Sequence, residues 1–404
     1  MRIFMLVLLV VSAGWSRAGA EEKIAPSMAM AREQTQFALR LYRELAQSGS
    51  DNLFLSPFSI SAALAMTHAG AAGETEQEMR QLLFPSLNPA DVPKFYEALV
   101  KELEPANTGE GVAWRVANAL WPQEGAPFRK DYLRLVEKRF RAGVYPLDFS
   151  QSEAARSRIN RWVEEKTEDR IKDLIAPGVL DPMTRLVLVN AVYFKGDWRT
   201  AFNRDETRPL PFYPADGTTN LVATMTGKVM ARHAERDDVH LLELPYRGDR
   251  VSMLIAVPRE DDLATLEQSL TPSVLDRWEA ALEPPGEIRV FLPTFTMTES
   301  FSLNELLSTL GMTLPFDETM ADFSGMNGRT NDLYIGAAIH KAFVEVNEEG
   351  TEAAAATAVV MVTRAMMPRP DPVFRADRPF LFLIRDRVTG TVLFMGRVSD
   401  PVAP

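Results

Sequence analysis

Four histidines, His68, His233, His240 and His340, are the only imidazoles in a chain of 404 residues that contains no cysteine. Without a thiol there is no thiolate nucleophile, no thiolate metal site and no disulfide. The histidines fall in no H-E-x-x-H pair. No G-x-S-x-G elbow presents a serine, and no G-x-x-x-x-G-K-[ST] loop is present to cradle phosphates. HAERDDVH (233–240) offers imidazoles and carboxylates together, but its mixed charges read as the decoration of a turn. Serine and aspartate are plentiful, so a dispersed triad stays open, although no spacing points to one. The chain is read as a non-enzyme with no cofactor and no metal.

A different kind of chemistry is suggested by GTEAAAATAVVMVTRAMMPRP, residues 350–370. Its four consecutive alanines favour helix. Val359, Val360 and Val362 favour strand, and Pro368 and Pro370 favour neither. The segment is committed to no single conformation.

The elements around it must supply the frame. Hydrophobic residues make up 46% of the chain and charged ones 25%, enough to bury a sizeable core. The net charge of −11 argues against a general nucleic-acid or anionic-membrane binder. Residues 1–20 read as a signal peptide: Arg2, the apolar run IFMLVLLVV, and a small-x-small end at Ala18-Gly19-Ala20. Its removal takes Arg2 and Arg17 with it, leaves a mature charge of −13, and predicts an exported protein, secreted or periplasmic, with no membrane attachment. Residues 21–404 read as one domain and a monomer. Helical spacing predicts helices over 28–47, 56–71, 93–104 and 152–174. Strand patterns occupy 185–196, 240–248, 251–258, 288–300 and a stretch from about Ala338 to 350. A hairpin over 380–401 turns at Thr389-Gly390. Helices first and strands afterwards predict an α+β domain with a large sheet.

Five ordered stretches then carry a resemblance. NLFLSPFSISAALAMTHAGAAGETEQEM (52–79), LVNAVYFKGDW (188–198), ADFSGM (321–326), IHKAFVEVNEEGTEAAAATA (339–358) and FRADRPFLFLIRDRVTGTVLFMGRVSDP (374–401) resemble the serpins. The resemblance implies a metastable fold of three β-sheets and eight or nine helices. It also implies an exposed reactive-centre loop, about 348–373, that serves as protease bait. Most serpins inhibit serine proteases and some inhibit cysteine proteases. A minority are non-inhibitory carriers, storage proteins or chaperones.

The undecided segment has a reason in such a fold. It is a loop before cleavage and a strand of the central sheet after it, a type of switch for which serpins are a standard example. Side chains alternate between faces. Glu352, the only charge between Gly350 and Arg364, sets the solvent parity. The inward set is then Thr351, Ala353, Ala355, Thr357, Val359 and Met361, small at the start and more apolar further along. A charge at an inward position would face a desolvation cost of several kcal/mol. Glu348, Glu349, Gly350, Thr351, Glu352 and the four alanines Ala353, Ala354, Ala355 and Ala356 resemble the hinge of inhibitory members.

Counting thirteen residues beyond Thr351, as the family does, puts the reactive bond at Arg364–Ala365. Arg364 suits a trypsin-like pocket that holds a carboxylate. Met366, Met367 and Arg369 are alternative bait; a cut after either methionine would suit an elastase- or chymotrypsin-like enzyme. The partner implied is a target serine protease, held as a covalent acyl complex. Thr351 to Arg364, once extended, covers roughly 45–50 Å at ~3.3 Å per residue, which carries the protease across the molecule.

The resemblance also assigns Ser56, Ser59, Asn190 and His340 to the polar cluster beneath the central sheet, the shutter. It assigns Trp198 to the place where the loop first enters. Two departures stand out. Many members carry a lysine where Thr294 stands, paired with the glutamate matching Glu348; that pair is missing. The helix at 93–104 is not enriched in lysine or arginine, so strong glycosaminoglycan activation there is not expected.

Overall fold

The structure is a computed structural model that describes residues 24–47, 49, 51–107, 111–236, 238–259, 262–351 and 372–402. The first part is mainly helical, with α1 (Pro26–Gln47), the short strand β1 (Leu53–Leu55), α2 (Pro57–His68), α3 (Gly73–Leu83) and α4 (Val92–Leu103). Then come β2 (Val112–Pro122), α5 (Lys130–Leu135), β3 (Gly143–Val144), α6 (Ser152–Lys166) and β4 (Leu186–Asp197). Strands dominate afterwards: β5 (Arg208–Phe212), β6 (Asn220–Glu235), β7 (Val239–Pro245) and β8 (Val251–Pro258), with α7 (Leu263–Ser269) and α8 (Pro272–Ala281) behind them. The chain continues through β9 (Gly286–Pro293), β10 (Phe295–Ser302), α9 (Leu303–Thr309), α10 (Ser324–Asn327), β11 (Ala337–Val346), β12 (Gly350–Thr351), β13 (Val373–Arg375), β14 (Phe380–Asp386) and β15 (Val392–Val398).

One hydrogen-bonded path runs β1-β15-β14-β8-β7-β6-β9-β13, with β5 on β6; a second runs β10-β11-β12-β4-β2-β3. Strand β6 belongs to two sheets. Thr224–Ala231 pairs with β9, and Arg232–Glu235 pairs with β7. The first path is thus two sheets hinged on one strand, and the described residues form three sheets in all. The described residues hold ten α-helical segments, in keeping with the roughly eight or nine that the resemblance implies; the shortest is the four-residue α10.

The near-continuous apolar run of β4, Leu186–Phe194 broken by Asn190, follows from its position. Leu188, Val192 and Phe194 join the main core, whereas Val187, Val189 and Ala191 face a second cluster with Ile159, Val163 and Trp121. The second cluster lies under α6. A strand covered on both faces needs no polar alternation.

Three boundaries differ from the sequence reading. The strand expected from about Ala338 to 350 ends at Val346, and Gly350–Thr351 re-enters the sheet as β12 after a reversal. The helix expected over 152–174 ends at Lys166, because Thr167 turns its hydroxyl onto the Val163 carbonyl (2.8 Å) and Glu168 and Asp169 adopt positive φ. Ile171, Leu174 and Ile175 are still buried, but on an irregular return strapped to α6 by Asn160, which bonds both the Ile175 N–H and its carbonyl. The strand expected over 288–300 is two strands. The chain leaves one sheet at Pro293 and enters another at Phe295, with Thr294 bonded to the Ala223 carbonyl between them. HAERDDVH spans the β6–β7 turn, and the 380–401 hairpin turns through Gly390 at φ +72°.

Candidate functional site

Two groups of side chains predicted from the sequence come together, both along the β4–β11 contact. Below, Ala337–Phe343 of β11 pairs in parallel with Val187–Tyr193 of β4. Above, the two strands part, and β12 stands between them: Thr351 is in register with Val346 on one side and Gly196 on the other. The sheet is closed except at this end, where the first loop residue already occupies a strand position.

The upper group is the hinge. After β11 the chain reverses through Asn347, whose carbonyl accepts the indole N–H of Trp198 at 3.0 Å. The Trp198 and Phe202 amides donate to the carbonyls of Glu349 and Glu348, both at 2.8 Å. Gly350 sits at φ +155°, and a Cβ there would run into the Gly196 carbonyl and lie 2.7 Å from Asp197 Cα. Both the dihedral and the contact require glycine. The carboxylate of Glu348 accepts from the Thr207 hydroxyl at 2.6 Å, and Glu349 pairs with Arg204 at 2.8 Å. Both hinge glutamates are thus held from the one segment 204–207.

The lower group is the polar cluster. Ser56 caps α2: its hydroxyl accepts from the Ser59 N–H at 3.2 Å and donates to the Leu393 carbonyl at 2.7 Å. Pro57 follows as the first helical residue, which lacks an N–H to leave unpaired. The Ser56 N–H donates to His340 Nε2 at 3.1 Å, so Nε2 carries no proton, and His340 Nδ1 donates to Asn190 Oδ1. Asn190 Nδ2 donates to Ser59 Oγ at 2.7 Å and to Asn118 Oδ1 at 2.6 Å. His340 and Asn190 face each other across β11 and β4, as Asn118 and Asn190 do across β2 and β4. Ser56, Ser59, Asn190 and His340 are each at most 1% exposed. Burial drives the His340 imidazole down to about 3, so the ring is neutral and its two nitrogens have fixed, opposite roles. Four strands and one helix are therefore tied through hydroxyls, amides, one backbone carbonyl and one imidazole that exchange bonds without any net charge.

Sequence reasoning missed Asn118, an amide in strand β2, a stretch that the sequence reading assigned to no element. It also missed Arg204 and Thr207, from a turn with no pattern of its own, and Tyr246, which lies in the 240–248 strand pattern but was given no role. Tyr246 is fully buried, with its hydroxyl 2.8 Å from Thr351 Oγ1. Glu352, Ala353, Ala354, Ala355, Ala356, Arg364, Ala365, Met366, Met367 and Arg369 lie outside the described residues. On α4, Lys94 and Lys101 are paired with Asp91 and Glu97. No helix among the described residues is long and apolar enough to cross a membrane.

Comparison with known proteins agrees with this architecture. The family described as serpin (serine protease inhibitor) matches residues 32–401. The chain is 40% identical over 369 residues to an uncharacterized serpin-like protein of Thermococcus kodakarensis, covering 90% of this chain and 84% of that one. It is 38% identical over 399 residues to human antithrombin-III, covering 95% and 85%. Among solved structures, the thermophilic serpin tengpin in its native state superposes with a TM-score of 0.82 at 28% identity, over 92% of this chain and 94% of that one. With the three sheets and the hinge in place, the chain belongs to the serpin family, whose members are described as serine protease inhibitors.

Proposed function

We propose that this protein is a suicide inhibitor of a serine protease with trypsin-like specificity, cleaved at Arg364–Ala365. The protease serine attacks the Arg364 carbonyl carbon, the bond to the Ala365 nitrogen breaks, and that amine leaves with a proton from the protease. An ester joins the two proteins. The freed segment from Glu352 onward enters between β4 and β11 and takes the acylated protease with it. The observation that carries this reading is Thr351, buried in register between Val346 and Gly196 at the head of that contact. Small residues follow it in the sequence, and the hinge carries neither a proline nor a bulky inward side chain.

The polar cluster of Ser56, Ser59, Asn118, Asn190 and His340 acts as the shutter. Its uncharged bonds can be exchanged as the strands part, at less cost than buried ion pairs would impose. Trp198, bonded to Asn347 and adjoining Glu349, marks where the loop enters. A second reading, cleavage after Met366 or Met367 by an elastase- or chymotrypsin-like enzyme, draws on those two residues and on the 40% identity to rat leukocyte elastase inhibitor A. Residues 1–20 direct export, and the mature chain begins at Glu21.

Incubation with trypsin followed by a denaturing gel tests the reading. An inhibitor gives a stable band near the summed masses of the two proteins. Clean loop cleavage with no such band assigns the protein to the non-inhibitory serpins. N-terminal sequencing of the small fragment separates cleavage before Ala365 from cleavage after a methionine.

A further inference from the structure

Tyr246 has two parts with separate duties. Its ring is fixed by packing: it stacks on Trp198 with centroids 4.6 Å apart and planes 11° apart, and meets Phe194 edge-on at 5.2 Å. Gly196 makes room for it, since a Cβ there would lie 2.7 Å from the ring. Its hydroxyl serves a different purpose. It is fully buried, and burial raises the phenol far above its ordinary range, so it stays protonated. Among the described residues its one hydrogen-bond partner is Thr351 Oγ1. Thr351 in turn is wholly buried in β12.

A buried hydroxyl without a partner is disfavoured. If Thr351 left its place, the Tyr246 hydroxyl would be orphaned in an apolar setting. The neighbouring hinge contacts do not share this dependence: Trp198 bonds the Asn347 carbonyl, and Arg204 and Thr207 hold Glu349 and Glu348, all upstream of Gly350. We propose that Tyr246 is a positioning residue that sets the resting depth of the loop, holding Thr351 as its first inserted residue. Insertion after acylation then starts from a seated strand end instead of having to nucleate one. The inference rests on the inhibitory reading above for its consequence, but not for its geometry.

The test is a double-mutant cycle on the full chain with Tyr246→Phe and Thr351→Val. Each single change keeps the shape and orphans the other hydroxyl; the double change removes both. Hydrogen exchange of the peptide spanning Asn347–Thr351 reports hinge release, and the fraction of trypsin captured, against inhibitor merely cleaved, reports insertion. Each single variant is expected to exchange about tenfold faster at the hinge and to capture less trypsin. The double variant should return toward the wild type in both readouts. Singles at the wild-type exchange rate, or a double no better than the sum of the singles, would overturn the assignment. A merely structural role for the ring predicts no change in any of the three, because phenylalanine preserves the stacking. If the wild type itself captures no trypsin, the inhibitory reading fails, while the exchange arm still decides the role of Tyr246.

Discussion

His340 Nε2 accepts the backbone N–H of Ser56 at 3.1 Å, which ties the central strand β11 to the cap of the buried helix α2. The bond exists only while the imidazole is neutral. Its other nitrogen is already committed as a donor to Asn190, so a second proton on the ring would point a donor at a donor.

Acid should therefore loosen this contact specifically. The folded protein holds His340 down to about 3, whereas the unfolded chain protonates it near the ordinary 6.5. Between these values the unfolded state binds more protons, so stability falls as pH falls, by up to about 1.4 kcal/mol per pH unit from this one group. Above pH ~6.5 the contribution is fully present. His340→Gln should be less stable than the wild type at pH 7.5, and the difference should shrink at pH 4.5. Thermal melts of both proteins at the two pH values check this; a constant difference would place the acid sensitivity elsewhere.

Much of this arrangement was legible in the sequence, for different reasons at different residues. The helix at α2 and the strand at β4 are long and strongly biased, whereas Ser56, Ser59, Asn190 and His340 were singled out by the family resemblance; in the sequence itself they are polar residues stranded in apolar runs. Such residues announce that something must satisfy them. Asn118 belongs to the same class, but its strand was not recognised. The segment 152–174 misled because Ile171 and Ile175 continue a helical spacing that the chain itself abandons at Thr167; burial, not helix, is what their spacing recorded. Arg204 and Thr207 left no periodic trace, and Tyr246 lay in the 240–248 strand pattern with nothing to mark its role. They meet the hinge only through pairings of distant strands, and no local pattern encodes that.

The bait is tested by substitution. Arg364→Leu should lose trypsin as a target and gain a chymotrypsin-like one, because the guanidinium no longer meets the carboxylate of the trypsin pocket. Loss of a charge-assisted bidentate pair costs at least tenfold in association rate, about 1.4 kcal/mol or more. Inhibition rates against both enzymes decide it. Unchanged trypsin inhibition, with the released fragment starting at Met367 or Pro368, would move the reactive bond to a methionine.

The hinge parity is tested at Thr351. The side chain is fully buried between β4 and β11, and a charged replacement there must either be desolvated, at several kcal/mol, or leave the sheet. Thr351→Arg should therefore fold but behave as a substrate: trypsin cuts the loop, and the covalent band disappears. Capture at the wild-type stoichiometry would show that insertion does not pass through this position.

Metastability supplies the last prediction. In the uncleaved protein β4 and β11 pair directly over Ala337–Phe343, and among the described residues Thr351 stands in register between them above that stretch. If the proposed mechanism holds, a strand inserted there gains ladder hydrogen bonds on both edges and buries the inward residues Val359 and Met361, worth ~1.5–3 kcal/mol each before ordering costs. The resting protein is then kept from its most stable form by a barrier, and its stability is kinetic. A protease cut between Ala358 and Arg364 removes the tether that holds the loop outside. The cleaved protein should melt well above the intact one, with both fragments still associated on a sizing column. An ordinary domain gains chain entropy when nicked and melts lower. A cleaved form that melts at or below the intact protein would mean that the loop does not insert, and the non-inhibitory reading would then be the better one.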